Sequence, residues 1–279
     1  MNQEEYSFGA ADSSKDIRTF TYAPYPAHMT GGTRYEPKDI EHQHKVGICT
    51  AISFTQNARK ARGIAYSADF QYLLQKLEVD GNWDEGSSIS SALKVGSKFG
   101  LLPVQFFDKW MKESDRKQPY FKYIEKLKKV PKAEIEKLKE IAAAHKIIAY
   151  AKIPIDRDML ANAIDESEAG ILVRFAVGKE WYTKPIEPLR PPKEVISGHA
   201  ITESNYDGNS FRVANTWGTM WADKGTAYHL LRNYAPTEAW MVYFDRTTPK
   251  IESDLEKKER LMGQLKDKLQ ELLEKLRTQ

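Results

Sequence analysis

An α+β protein, a helical half followed by a sheet half, is what the order of patterns in this 279-residue chain predicts. Apolar residues recur at helical spacing from Cys49 to about Lys146, and beyond Lys146 the pattern changes to short, strand-like apolar runs. Composition bounds the answer: 41% hydrophobic and 29% charged residues, with 16 glycines and 13 prolines, exclude disordered, collagen-like and low-complexity chains. A net charge of +3 is too close to balance to argue for nucleic acid. No apolar run approaches the roughly 20 residues of a membrane span, so no membrane partner is expected.

Each element has its own signal. Residues 1–20 are polar and aperiodic and read as a flexible arm without the apolar core of a secretory signal. Residues 21–45, with Pro24, Pro26, Gly31, Gly32 and Pro37, read as irregular, extended chain. A helix is expected over 49–62, where Ile52, Phe54, Ala58 and Ala61 recur, and a second over 67–77, with Tyr72, Leu73 and Leu77 on one side. A turn-rich loop at 81–86 precedes a third helix at 87–99, closed by Gly100 and followed by Pro103. The lysine-rich stretch 109–146 is helical, interrupted near Pro131, and its interspersed acids make it a solvated face rather than an anion site. Strands are expected at 147–153, 170–177, 199–206, 210–214 and 239–244, with a short helix at 157–164 and a Pro-rich surface loop at 185–192. In the tail, Leu255, Met262, Leu269 and Leu276 repeat every seven residues, with Leu265 and Leu272 between them. That spacing reads as an amphipathic helix, either a short coiled coil or a helix docked on a partner.

Cys49 is the chain's one cysteine, which excludes a disulfide framework and a cysteine-zinc site; no metal or cofactor is expected. On composition alone a lone cysteine is a small buried hydrophobe. Its neighbours argue otherwise. Cys49 opens an apolar-periodic helix after a loop containing Gly47, where unsatisfied N–H groups and the helix dipole favour the thiolate. A thiolate needs a base, and the base an orienting group. His199 begins a strand in Ser197-Gly198-His199-Ala200-Ile201, and Asn215 ends another, with Trp217 two places on to shield a histidine–amide bond.

With these residues the chain resembles the papain-like cysteine peptidases. Gln43 stands six residues before Cys49, His199 is followed by small and apolar residues, and Asn215-Thr216-Trp217-Gly218-Thr219-Met220-Trp221 resembles the family's asparagine motif. Ser91-Ala92-Leu93 and Phe99-Gly100-Leu101 resemble its third helix, and the likeness spans roughly residues 35–245. The resemblance implies Cys49 as nucleophile, His199 as general base and then acid, Asn215 as the group orienting His199, and Gln43 with the Cys49 N–H as oxyanion hole. It implies a thiolate–imidazolium pair between a helical lobe and a barrel-like β lobe. Gly86, Ser87, Gly198 and Trp217 are the expected substrate-binding residues, Gly198 leaving an open pocket for an apolar side chain.

Departures are equally specific. The family's paired cysteines are replaced by Val46 and, by approximate alignment, Asp84, which suits a reducing compartment. Ile48 and Thr50 replace a small residue and an aromatic, and are expected to reshape one side of the cleft. No recognisable inhibitory pro-region precedes Gln43, although the arm could itself cover the cleft.

The expected organisation is an arm at 1–20, a two-lobed papain-like domain at 21–248 and a helix at 249–279. The helical lobe takes about 46–146, and the β lobe about 21–45 and 147–248. The expected activity is peptide-bond hydrolysis through an acyl-thioenzyme, as an endopeptidase on peptide or protein substrates; acyl transfer or deamidation uses the same groups. The alternative is an inactive binding or assembly protein docked, or self-associated, through 251–279. The expected location is a cytoplasm, or a virion for a phage protein.

Overall fold

One long helix organises the first half of the molecule. α1 (Cys49–Arg62) is buried continuously from Cys49 to Ala58, and Gly63, at φ 71°, ends it in the left-handed conformation that glycine adopts without strain. The computed structural model describes residues 9–11, 20–21, 30–182 and 187–245, within a unit spanning 1–248. The expected helix at 249–279, with its heptads and any pairing through 251–279, lies outside the described residues.

α2 (Ala68–Leu74) starts on Ser67, whose side chain accepts the Phe70 N–H. It continues as a π-helical stretch, Gln75–Asp80, up to Gly81. α3 (Ile89–Lys98) is capped by Ser88 through the Ser91 N–H. The expected run at 109–146 divides into α4 (Tyr120–Leu127) and α5 (Lys132–Ala142), which begin after Pro119 and Pro131. Proline suits the start of a helix and breaks its interior. The inner faces of both (Tyr123, Ile124, Leu127, Ile135, Leu138) close a core with Val46, Ile48 and Leu73.

Four two-residue strands come early: β1 (Ala10–Ala11), β2 (Phe20–Thr21), β3 (Gly31–Gly32) and β4 (Ser87–Ser88). Then follow β5 (Ile147–Lys152), α6 (Arg157–Glu166), β6 (Ile171–Val177), β7 (Ser197–Tyr206), β8 (Phe211–Ala214), β9 (Thr226–His229) and β10 (Glu238–Phe244). The main sheet runs β2-β5-β10-β6-β7-β8-β9, with β3 on β7. It is antiparallel except where β2 joins β5. One face buries Ile171, Val173, Ile201 and Val213 with α6; the other meets α1, where Ala200 and Leu172 share a core with Cys49 and Phe54. The lobes therefore join along α1 and β7.

The surface loop read at 185–192 is exposed or half-buried at its described residues except Leu189, which is buried and bridges His229. One expectation needs correction. The arm, read as flexible, has residues 10–11 paired with β4.

Candidate active site

The segments carrying Gln43 and Asn215 are zipped together by backbone. Gln43 N–H donates to Thr216 O at 2.9 Å, Gly218 N–H to Glu41 O at 3.0 Å, and His42 bridges Trp217. Gly218 makes this approach possible: at φ 71° it turns the chain, and a Cβ there would sit 2.6 Å from the His42 ring. The Gln43 amide is fixed from both ends, its Nε2 donating to Val46 O at 3.1 Å and its Oε1 accepting the Thr216 hydroxyl at 2.6 Å.

Cys49 is the first residue of α1 and fully buried. Backbone N–H groups of Ala200, Thr50, Gly9 and Cys49 itself face its sulfur and favour the thiolate, but burial outweighs them and pushes the thiol up to about 11. Ala200 follows His199 on β7, so Cys49 lies against the strand that carries the imidazole.

His199 pairs with Phe175 across β6 and β7. Its Nε2 lies 2.7 Å from Asn215 Oδ1, which also accepts the Thr216 N–H at 2.7 Å. An amide oxygen accepts only, so the neutral ring is assigned the Nε2–H tautomer and Nδ1 is the basic nitrogen. The Trp217 ring lies 4.6 Å from His199 at 31°, Trp181 approaches edge-on at 6.1 Å, and Tyr182 stacks on Trp217 at 5.7 Å. Burial lowers the His199 pKa to about 4, against the Asn215 bond. Burial therefore acts against the expected thiolate–imidazolium pair, while the N–H groups at Cys49 and the Asn215 bond act for it.

What closes it is residues 9–11, which lie between the expected substrate-binding walls. Ser87 N–H donates to Gly9 O at 2.6 Å and Gly9 N–H to Gly198 O at 3.3 Å. Arg174 Nε donates to Ala10 O at 2.9 Å. A Cβ on Gly9 would lie 2.7 Å from the Gly86 Cα, so a side chain there does not fit. The pocket expected above Gly198 is not open, because Arg174 Nη2 would sit 2.5 Å from a Cβ on that residue.

Ile48 and Thr50 were expected to shape the cleft, yet both are buried in the helical lobe; Thr50 Oγ1 lies 3.4 Å from Gln75 Nε2. Where the resemblance places a disulfide, the Glu85 carboxylate accepts the Gly47 N–H at 2.7 Å and ties the loop before Cys49 to the cleft wall. Thr216, Trp181 and Arg174 were not anticipated as parts of the site. Thr216 alone carried a signal, lying inside the Asn215 motif.

No family model and no curated relative matches the sequence. Solved structures do. Xylellain, a cysteine protease from Xylella fastidiosa, is 22% identical over 88% of this chain and 99% of that one, with a TM-score of 0.69. A procathepsin B from Trypanosoma congolense is 14% identical over 85% and 86% of the two chains, at 0.59. Bromelain from Ananas comosus is 14% identical over 74% and 93%, at 0.53. At these identities the likeness is one of fold: the chain has the papain-like architecture.

Proposed function

We propose that this chain is a cysteine peptidase acting through an acyl-thioenzyme. The 2.7 Å contact between His199 Nε2 and Asn215 Oδ1 carries the reading, set beside a thiol that the next residue's N–H faces. An imidazole oriented by an amide beside a cysteine at a helix N-terminus is an arrangement for making and using a thiolate.

Catalysis begins when a substrate replaces residues 9–11. Water entering with it relieves the burial that holds Cys49 and His199 neutral, and the thiol proton passes to Nδ1. The sulfur attacks the substrate carbonyl carbon, and the developing oxyanion takes hydrogen bonds from the Cys49 N–H and the Gln43 amide. The C–N bond breaks as Nδ1–H protonates the leaving nitrogen. Water, deprotonated by His199, then cleaves the thioester and restores the thiol. Asn215 orients the ring without adding a buried charge. An endopeptidase mode is supported by residues 9–11, an internal stretch of chain that fits between the walls. The lone, disulfide-free thiol suits a reducing compartment.

The rival, a binding protein with an idle constellation, draws on the closed and neutral site. Labelling with iodoacetamide or an epoxide near pH 6, in wild type and His199→Ala, each with and without residues 1–11, separates the two. Selective, His199-dependent labelling of Cys49 with peptide cleavage supports the peptidase. Labelling indifferent to His199 in both forms ends that reading.

A further inference from the structure

We infer that Lys76 is a positioning residue that, with Asp80 and Tyr72, aims the Ser87 N–H at a substrate main-chain carbonyl; the inference rests on the peptidase reading above. Lys76 is 3% exposed, and lysine is almost never buried so deeply unless paired. Its ammonium lies 3.0 Å from Asp80 Oδ2 and 5.2 Å from the centre of the Tyr72 ring, and it donates to the Gly86 carbonyl. Asp80 is itself held by the Ser91 hydroxyl at 2.7 Å. The Tyr72 hydroxyl accepts the Gly86 N–H at 3.1 Å and lies 3.3 Å from Gly86 O. Lys76 and Asp80 sit in the π-helical stretch Gln75–Asp80, a geometry frequent at functional sites.

A buried ion pair adds little stability over an apolar pair of similar size, so stability alone does not account for this one. Peptide planarity supplies the link to the cleft. The Gly86 carbonyl and the Ser87 N–H belong to one trans peptide and point in opposite directions. Anchoring the carbonyl on Lys76 and Tyr72, behind the wall, turns the N–H into the groove, where it meets Gly9 O at 2.6 Å. The ammonium also polarises the peptide and strengthens its N–H as a donor. Gly9 O stands where a substrate carbonyl is received.

The test uses the full chain and a peptide series in which each backbone carbonyl upstream of the cleaved bond is replaced in turn by a methylene. Residues 9–11 compete with every peptide alike, so their occupancy cancels in the ratio of kcat/KM between parent and analogue. In wild type one analogue is disfavoured, which identifies the acceptor of the Ser87 N–H. In Lys76→Met that ratio falls about tenfold, and ratios at other positions stay unchanged. Tyr72→Phe moves the same ratio about threefold, and carries the test if Lys76→Met does not fold. A folded variant that slows parent and analogue equally overturns the inference and leaves the peptidase standing. A wild type that cleaves none of the peptides overturns both.

Discussion

The two sides of the cleft hold their reactive groups by different means. On the sheet side, His199 sits in a strand with seven register pairs to β6 and a further ladder to β8, under a cluster of tryptophans. On the helical side, Cys49 and the facing wall depend on single side-chain-to-backbone contacts: Glu85 on Gly47, Tyr72 and Lys76 on Gly86, and Tyr120 on the carbonyls of Trp83 and Asp84. A strand spreads its geometry over many bonds, so losing one moves little. A pinned loop concentrates its geometry in a few, and each is a point where function fails before the fold does.

That contrast can be broken experimentally. Gln43→Ala removes a proposed oxyanion donor and should lower kcat by about 10²–10³; a loss below tenfold, measured with a peptide substrate, would remove Gln43 from the site. On the sheet side, Glu203 and His229 form a fully buried carboxyl–imidazole pair between β7 and β9. Glu203→Ala leaves His229 Nε2 without its partner, Nδ1 keeping the Tyr234 carbonyl, and should cost about 3 kcal/mol of stability, read as a Tm about 6–12 °C lower. At temperatures where the variant is folded, kcat/KM should change less than threefold; a large kinetic loss would mean the strand does not buffer the site.

Removing residues 1–11 acts on both sides at once. With the thiol at about 11 in the closed state, iodoacetamide reactivity of the full chain stays low at neutral pH and rises as the thiolate forms. Opening the site should bring the midpoint down by a unit or more and raise the rate at pH 7 about tenfold. Equal profiles for the two forms would show that residues 9–11 do not control access. The smallest effect is expected from Glu85→Ala: kcat/KM about fivefold lower and stability about 1 kcal/mol lower, with Glu85→Gln, which keeps an acceptor for the Gly47 N–H, restoring both. If Gln fails where Glu works, charge rather than geometry is what Glu85 supplies.

Periodic features were readable in the chain, and non-periodic ones were not. The bounds 49–62 coincide with α1 because apolar spacing and Gly63 mark both the face and the stop. The strands at 147–153, 170–177 and 239–244 fall within a residue of β5, β6 and β10, as continuous apolar runs allow. β9 was missed: Thr226 and His229 are both buried, so its four residues show no alternation. β1 was invisible because Gly9, Ala10 and Ala11 carry no strand propensity and the partner, Ser87, lies far along the chain. The candidate residues Gln43, Cys49, His199 and Asn215 stood out through local context; the structure bonds His199 to Asn215, Gln43 to Thr216, and sets the Ala200 N–H against Cys49. Lys76 did not stand out, because a side chain bonding a distant backbone group leaves no pattern in sequence.

Residues 9–11 have one more property: they are tethered. A free inhibitor dilutes away, whereas a segment on the same chain faces its site at an effective concentration on the order of millimolar, whether the protein is abundant or scarce. On the peptidase reading proposed above, a substrate gains nothing over it from dilution and must win by affinity. Gly9, Ala10 and Ala11 offer only a methyl group or less to the walls, so the peptides that win are those whose side chains grip what this segment leaves untouched.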